Sequence, residues 1–368
     1  MTIYSTIKTP TLVLDEEKAK HNLQLISSKI SSQNIRFRPH FKTHQSNEIG
    51  EWFRDAGIDA ITVSSVEMAQ YFAKNNWKDI LIAFPVNILQ MEEIINLSKQ
   101  IDLGLLFEDS VSVQYVDQHL QNPVKGWIKV DSGAQRCGLE VNQFEQVYLL
   151  AEEIKRSKNI RLQGLLTHAG HTYHRNNALE VNEIYQKSVD DLNYLRSYLN
   201  KKGLQDIKIS VGDTPSSRLV ENYGLVDELR PGNFLFYDVQ QFEAGVCQLE
   251  DIAVCLACPV VAIHQKKDEV IIYGGAIHLS KDTHPWMNIE QAFGLVTLPS
   301  ATEWENKIYG YVRSLSQEHG ILKFPDGIPE KLKIGSLVCV LPAHSCLTVQ
   351  AMRQYTNLDG EIIETMLT

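Results

Sequence analysis

Apolar residues recur along the first two thirds of the chain in two alternating rhythms. Short runs dense in Ile, Val, Leu and Phe cover 35–42, 60–65, 80–86, 103–108, 124–131, 162–170, 207–214 and 227–233. These read as strands. Between them, 66–76, 88–101, 143–157 and 178–203 carry apolar residues at helical spacing. Eight strands with intervening helices predict an α/β fold built on a TIM-like (β/α)8 barrel. An open doubly wound sheet shares this periodicity, because alternation alone does not reveal closure.

After Asp238 the texture changes. Strand-like runs at 251–265, 269–280, 306–316, 320–324 and 335–349 follow one another without long helices. This predicts a C-terminal β domain. We divide the chain into a barrel over 13–240 and a β domain over 241–368 joined by residues 1–12. Residues 281–307 are the least patterned and are expected to contain a long surface loop.

The bulk composition narrows the function. The 368 residues suffice for a barrel of about 250 residues plus a smaller domain. A net charge of -10 argues against nucleic acid or an anionic membrane surface as partner. No stretch approaches the ~18 uninterrupted apolar residues of a membrane helix, and the N-terminal residues lack a signal peptide's apolar core. A cytoplasmic protein is expected. The six cysteines are too few for a disulfide framework in so long a chain. Cys255 and Cys258 form a CxxC with no second copy, and buried strand cysteines are the stronger reading than a metal or redox pair.

Several clusters carry chemistry. Lys42 closes the first strand run, in Arg38-Pro39-His40-Phe41-Lys42-Thr43-His44, on the face where barrel enzymes place their active sites. A lysine partly withdrawn from water there has a lowered pKa, and its neutral amine can form a Schiff base. Strand run seven ends in Gly212-Asp213-Thr214 and run eight in Arg230-Pro231-Gly232-Asn233. Glycines allow close backbone approach to an anion, and barrels often bind phosphate with these two loops. Two ordinary turns are the plainer alternative.

Arg136 follows run five and could donate to a cofactor oxygen; a surface arginine is the competing reading. Run six ends in His168, His171, Tyr173 and His174, an unusual density of acid–base groups for a structural turn. His344 and Cys346 end the last strand run. On a strand, positions i and i+2 face one side, so imidazole and thiol can converge on one ion, and the thiolate favours zinc. Two ligands leave open positions, as a catalytic ion requires. Glu318 and His319 are weaker candidates for the same neighbourhood.

Together these residues resemble the fold-type III enzymes that use pyridoxal 5′-phosphate, in the group of D-serine dehydratase and D-threonine aldolase, whose N-terminal part is alanine-racemase-like. The resemblance spans nearly the whole chain and is most specific at Arg38–His44 and at His344–Cys346. It implies that Lys42 holds the cofactor and that Arg136 lies near a ring oxygen. It further implies that Gly212, Thr214, Gly232 and Asn233 cradle the phosphate, that Tyr237 adds a hydroxyl, and that His344 and Cys346 bind a divalent metal, zinc by the thiolate. Two departures stand out. Ile277 replaces a lysine usual in the family, and His168 stands where many relatives have an aromatic residue.

The implied activity is a lyase acting on a D-3-hydroxy amino acid, D-serine or 3-hydroxy-D-aspartate, giving a 2-oxo acid and ammonia. Lys42 removes the α-proton while the metal polarises the β-hydroxyl. The aldolase alternative uses His174 or a metal-bound hydroxide to split Cα–Cβ, with Tyr173 on the same loop. A racemase, or a non-catalytic carrier of the cofactor, is a further alternative. A small-molecule D-amino acid is the expected partner, and the family implies a homodimer.

Overall fold

The computed structural model describes residues 3–175 and 177–367; residues 1, 2, 176 and 368 lie outside it. Its chain forms two compact units. One holds residues up to Gln24, Thr43–Ile49 and everything from Asn233 onward; the other holds Leu25–Lys42 and Gly50–Gly232. Helix α1 (Glu16–Ser31) follows strand β1 (Thr11–Leu14).

The second of these units is the predicted barrel. Its strands are β2 (Arg36–Phe37), β3 (Ala60–Val63), β4 (Asp79–Pro85), β5 (Asp102–Phe107), β6 (Val124–Asp131), β8 (Ile160–Leu166), β9 (Lys208–Val211) and β10 (Glu228–Leu229). A two-residue β7 (Leu139–Glu140) pairs off β6. The eight main strands run parallel in the order β2-β10-β9-β8-β6-β5-β4-β3. An isolated parallel bridge between His40 and Thr62 completes the ring. Each of the eight main strands overlaps an apolar run that predicts it, and only the short β7 lies outside them.

Pro39 explains why that last junction is thin. Arg38 N–H and His40 N–H donate to Leu229 and Pro231 on the β10 side. The alternate residues face β3, and there Pro39 has no N–H to give. Pairing with β3 is therefore confined to Thr62 N–H donating to Pro39 O and Phe41 N–H donating to Thr62 O, both at 2.9 Å. Side chains take over where the ladder stops. Phe41 is fully buried, with ring centroids 4.9 Å from Phe53, 4.9 Å from Phe72 and 5.0 Å from Trp77.

Helices fill the spaces between strands, several of them begun by a short polar cap. They are α2 (Asn47–Asp55), α3 (Val66–Lys74), α4 (Met91–Ser98), α5 (Ser110–His119), α6 (Phe144–Arg156), α7 (Ala178–Lys201) and α8 (Thr214–Leu219). Ser65, Asp109 and Asp213, each just past a strand, accept from the N–H of Met68, Ser112 and Ser216 and so satisfy donors of the first turn.

The other unit is mostly antiparallel sheet. Its elements are α9 (Val239–Glu243), β11 (Val254–His264), β12 (Glu269–Tyr273), α10 (Ala276–Leu279), β13 (His284–Trp286), β14 (Ile289–Ala292), β15 (Gly294–Thr297), β16 (Gly310–Leu315), β17 (His319–Lys323), β18 (Leu337–Pro342), α11 (Ser345–Met352), β19 (Gln354–Asn357) and β20 (Ile362–Glu364). Strands β12-β17-β16-β15-β18-β11 form a row whose ends also pair, so these six close on themselves. β1 joins as a neighbour of β11 and β19.

The weakly patterned region 281–307 carries β13, β14 and β15, too short to leave a periodic signal, and then enters the irregular stretch 298–309 that holds the expected loop. The run 269–280 is not one strand: Gly274 and Gly275 end β12 and α10 follows. A Cβ on Gly275 would lie 2.2 Å from the Gln317 carbonyl, so only glycine allows this approach. The CxxC cysteines also separate. Register places Cys339 opposite Ala257, hence on the face of Cys255, while Cys258 points to the other face. All three are buried, as ordinary strand cysteines are. Among the described residues no helix is long and apolar enough to cross a membrane.

Candidate active site

Three inward-facing ladders climb the barrel to its C-terminal mouth. Alternate residues of a strand share a face, so Arg36, Arg38 and His40 form one series, Ser210 and Gly212 a second, and Glu228 and Arg230 a third. Lys42 lies in the turn that follows the His40 bridge, five residues past the end of β2. It is exposed, however, so withdrawal from water is not what distinguishes this amine. Its surroundings are distinguished by charge instead.

Burial, then Lys42, Arg230, His168 and Arg136, holds the half-buried His40 imidazole well below its ordinary range. His168 is pushed down to about 3, by burial first and then Lys42, with Arg136 and Arg230 adding to it. The Gly212 carbonyl, bonded to His168 Nδ1, works the other way. Lys129, buried on β6, is likewise brought down to about 8 by burial, while Cys137 and Asp131 oppose and Arg230 and Arg136 reinforce the fall. The mouth thus gathers Lys42, Lys129, Arg136 and Arg230 around two neutral imidazoles. Such a field selects an anion.

The phosphate loops fit one. The hydroxyls of Thr214 and Ser216 and the Nε of Arg230 are buried without a hydrogen-bond partner among the described residues. Buried donors of this kind are satisfied by something outside the chain. Tyr173 accepts from the Thr214 N–H at 3.1 Å. Gly212 is a glycine for a second reason, since a Cβ there would lie 2.8 Å from the Arg230 backbone. The pyridoxal phosphate implied by the sequence, with its dianionic phosphate, matches this donor set.

Other predicted residues are placed less simply. Arg136 and His174 are exposed, and His171 is half-buried. Gly232 ends the barrel unit, whereas Asn233 and Tyr237 belong to the other. The Asn233 amide donates to Asp238 at 2.6 Å and accepts from the Ser345 hydroxyl at 2.8 Å, which fixes its orientation and leaves one N–H hydrogen to donate. Tyr237 is buried with φ 48°, a left-handed conformation uncommon for a bulky residue and characteristic of functional loops. His40, Lys129 and Arg230 are the residues the sequence reading left without a role. Their inward register relative to Lys42 and Gly212 was the available signal.

In the sheet unit His344 and Cys346 come together, but not along a strand. β18 stops at Pro342; His344 caps α11 and Cys346 lies in its first turn. The helix turn, not the strand period, brings the thiol to the imidazole. Asp282 Oδ2 lies 2.8 Å from His344 Nδ1, leaving Nε2 as the nitrogen for any other partner. Burial disfavours a charged imidazole, but Cys346, Asp238 and Asp282 together outweigh it and raise His344 to about 10. Cys346 Sγ lies 3.4 Å from Thr43 Oγ1. A carboxylate-held histidine beside a thiol is a donor pair suited to a divalent metal of the zinc type. Among the described residues no group of three or more His, Cys, Asp or Glu gathers to hold one, and Glu318 and His319 are exposed.

Comparison with known proteins follows this division. Residues 14–239 match the alanine racemase N-terminal domain, and residues 253–358 match a putative serine dehydratase domain. The chain is 28% identical to D-serine dehydratase of Dictyostelium discoideum, covering 98% of this chain and 96% of that one. It is 26% identical to D-threo-3-hydroxyaspartate dehydratase of Delftia sp. (strain HT23), covering 97% and 96%. A variant of D-threo-3-hydroxyaspartate dehydratase, solved in the metal-free form, superposes with a TM-score of 0.90 at 25% identity over 99% of each chain.

Proposed function

The chain belongs to the family of the alanine racemase N-terminal domain, and from that premise we propose that it is a pyridoxal phosphate- and metal-dependent lyase. Its reaction is dehydration of a D-3-hydroxy amino acid, D-serine or 3-hydroxy-D-aspartate, to a 2-oxo acid and ammonia. The observation that carries this reading is the Asp282-held His344 beside Cys346. A racemase has no use for a Lewis acid, whereas loss of a β-hydroxyl near neutral pH does.

When bound, pyridoxal phosphate supplies an electron sink at Cα, and the metal supplies a Lewis acid for the β-oxygen. Lys42 is the covalent anchor and the group that takes the α-proton at its Nζ. Arg136 and Arg230 bring positive charge to the bound anion, and Gly212, Thr214, Gly232 and Asn233 line the phosphate, with Tyr237 contributing its hydroxyl. Tyr173 fixes the loop through the Thr214 N–H. His168 stays uncharged and packs without adding a further cation. His344 offers Nε2 and Cys346 its thiolate to the metal, which we assign as zinc. His174 remains the candidate base for cleavage of Cα–Cβ in the aldolase alternative.

We further assign the working form as a cytoplasmic homodimer. Six cysteines outside any disulfide support a reducing compartment, and the family resemblance supports the dimer. Product identification over D-serine, D-threonine and 3-hydroxy-D-aspartate tests the activity. A 2-oxo acid with stoichiometric ammonia, lost on chelation and restored by zinc, is expected. Glycine and an aldehyde without any 2-oxo acid would sink the dehydratase reading.

A further inference from the structure

We propose that Glu228, acting through the Ser210 hydroxyl, is a positioning residue that holds the Arg230 guanidinium in the barrel mouth for the anionic cofactor. The role of the held guanidinium rests on the pyridoxal phosphate reading above. Glu228 and Ser210 are register partners on β10 and β9, both inward and both buried. Glu228 Oε1 lies 2.7 Å from Ser210 Oγ, and Arg230 Nη1 lies 3.2 Å from the same hydroxyl. A serine has one proton. It goes to the carboxylate, so the oxygen's lone pairs are turned to the arginine. Arg230 Nη2 donates to the Thr167 carbonyl. Two of the three guanidinium nitrogens are thereby tied back, and Nε remains a buried donor without a partner among the described residues.

The far end of the relay is itself clamped. Glu228 Oε2 accepts from Arg38 Nε at 2.6 Å, and Arg38 Nη1 donates to Asp79 at 2.7 Å. With both oxygens engaged, Glu228 cannot turn, and a ligand's partner held by a locked group is preorganised. Charge gives the second reason for an acid here. Burial brings Arg230 down to about 10, Glu228 is the chief group opposing that fall, and Arg38 adds to it. Without Glu228 two buried guanidinium groups would face each other with little between them. The Arg38–Glu228 pair would be complete without Ser210; only the hydroxyl extends it to Arg230.

Ser210→Ala therefore separates positioning from scaffolding, because it leaves the Arg38–Glu228 pair intact. Spectrophotometric titration of the cofactor-free protein with pyridoxal phosphate should show affinity reduced about tenfold, the loss of one hydrogen bond to a charged group. The thermal midpoint should stay near wild type, and Ser210→Thr, which keeps the hydroxyl, should restore binding. In cofactor-free protein the Arg230 Nε–Hε resonance, assigned by its loss in Arg230→Lys, should shift or broaden in Ser210→Ala and return in Ser210→Thr. Wild-type affinity in Ser210→Ala, or an unmoved Arg230 resonance, overturns the relay. A wild-type protein that takes up no pyridoxal phosphate is a different outcome: it overturns the cofactor reading and the ligand assigned to Arg230 with it.

Discussion

Asp282 decides which nitrogen of His344 is left for a metal. With Nδ1 engaged at 2.8 Å, coordination falls to Nε2, and the carboxylate also sharpens the ring's basicity. Asp282→Asn keeps the shape and removes the charge. Zinc affinity measured by competition with a chelating dye should fall about 10–100-fold, and unchanged affinity would remove Asp282 from the site. His44 gives a second prediction at this scale. It is almost wholly buried, and burial holds its imidazole down to about 3 despite the Ser46 N–H it accepts. A base held below its unfolded value stabilises the fold fully above about pH 6.5, and that contribution is lost as the pH falls towards 3. The urea midpoint should therefore drop more steeply between pH 7 and 4 in wild type than in His44→Asn. Parallel curves would refute the assignment.

Helix starts organise the functional elements, and Asp238 serves two of them. Its buried carboxylate accepts from the Gln241 N–H of α9 at 3.0 Å, the Ser345 N–H of α11 at 3.0 Å and the Asn233 amide at 2.6 Å. Asp238→Ala should cost about 2–4 kcal/mol, since it orphans several buried donors at once; denaturant unfolding reads this directly, and a loss under 1 kcal/mol would contradict it. Legibility in the sequence divides along the same lines. Barrel strands could be read because β3, β4 and β5 are nearly continuous apolar runs. Helix α5 could not: Val111 and Val113 alternate as strand residues do, while of its valines only Val113 and Val116 are buried. The His344–Cys346 pair was legible as a pair but not as geometry, since a single polar step at His344-Ser345 reads as readily within a strand as at a helix cap. Asp282, distant in sequence, gave no signal at all.

At the scale of the whole molecule, the residues we propose for the cofactor and those we propose for the metal lie in separate stretches of chain. Lys42, Arg136, His168 and Gly212 lie within the racemase-like match, and His344 and Cys346 lie within the dehydratase-like one. Binding of pyridoxal phosphate should therefore survive removal of the metal. Exhaustive chelation should abolish 2-oxo acid production while leaving the bound-cofactor absorbance within about twofold of its starting intensity, a margin equivalent to less than 0.5 kcal/mol. Joint loss of both would mean that the metal is part of the cofactor's own binding. The thin junction at Pro39 has a consequence of another kind. At that seam the apolar contacts of the Phe41 ring supplement just the two backbone hydrogen bonds that Pro39 and Phe41 make with Thr62. Attachment of this type weakens on cooling. The segment bearing Lys42 is thus expected to loosen on cooling more than the seams with longer ladders, such as those joining β4, β5 and β6.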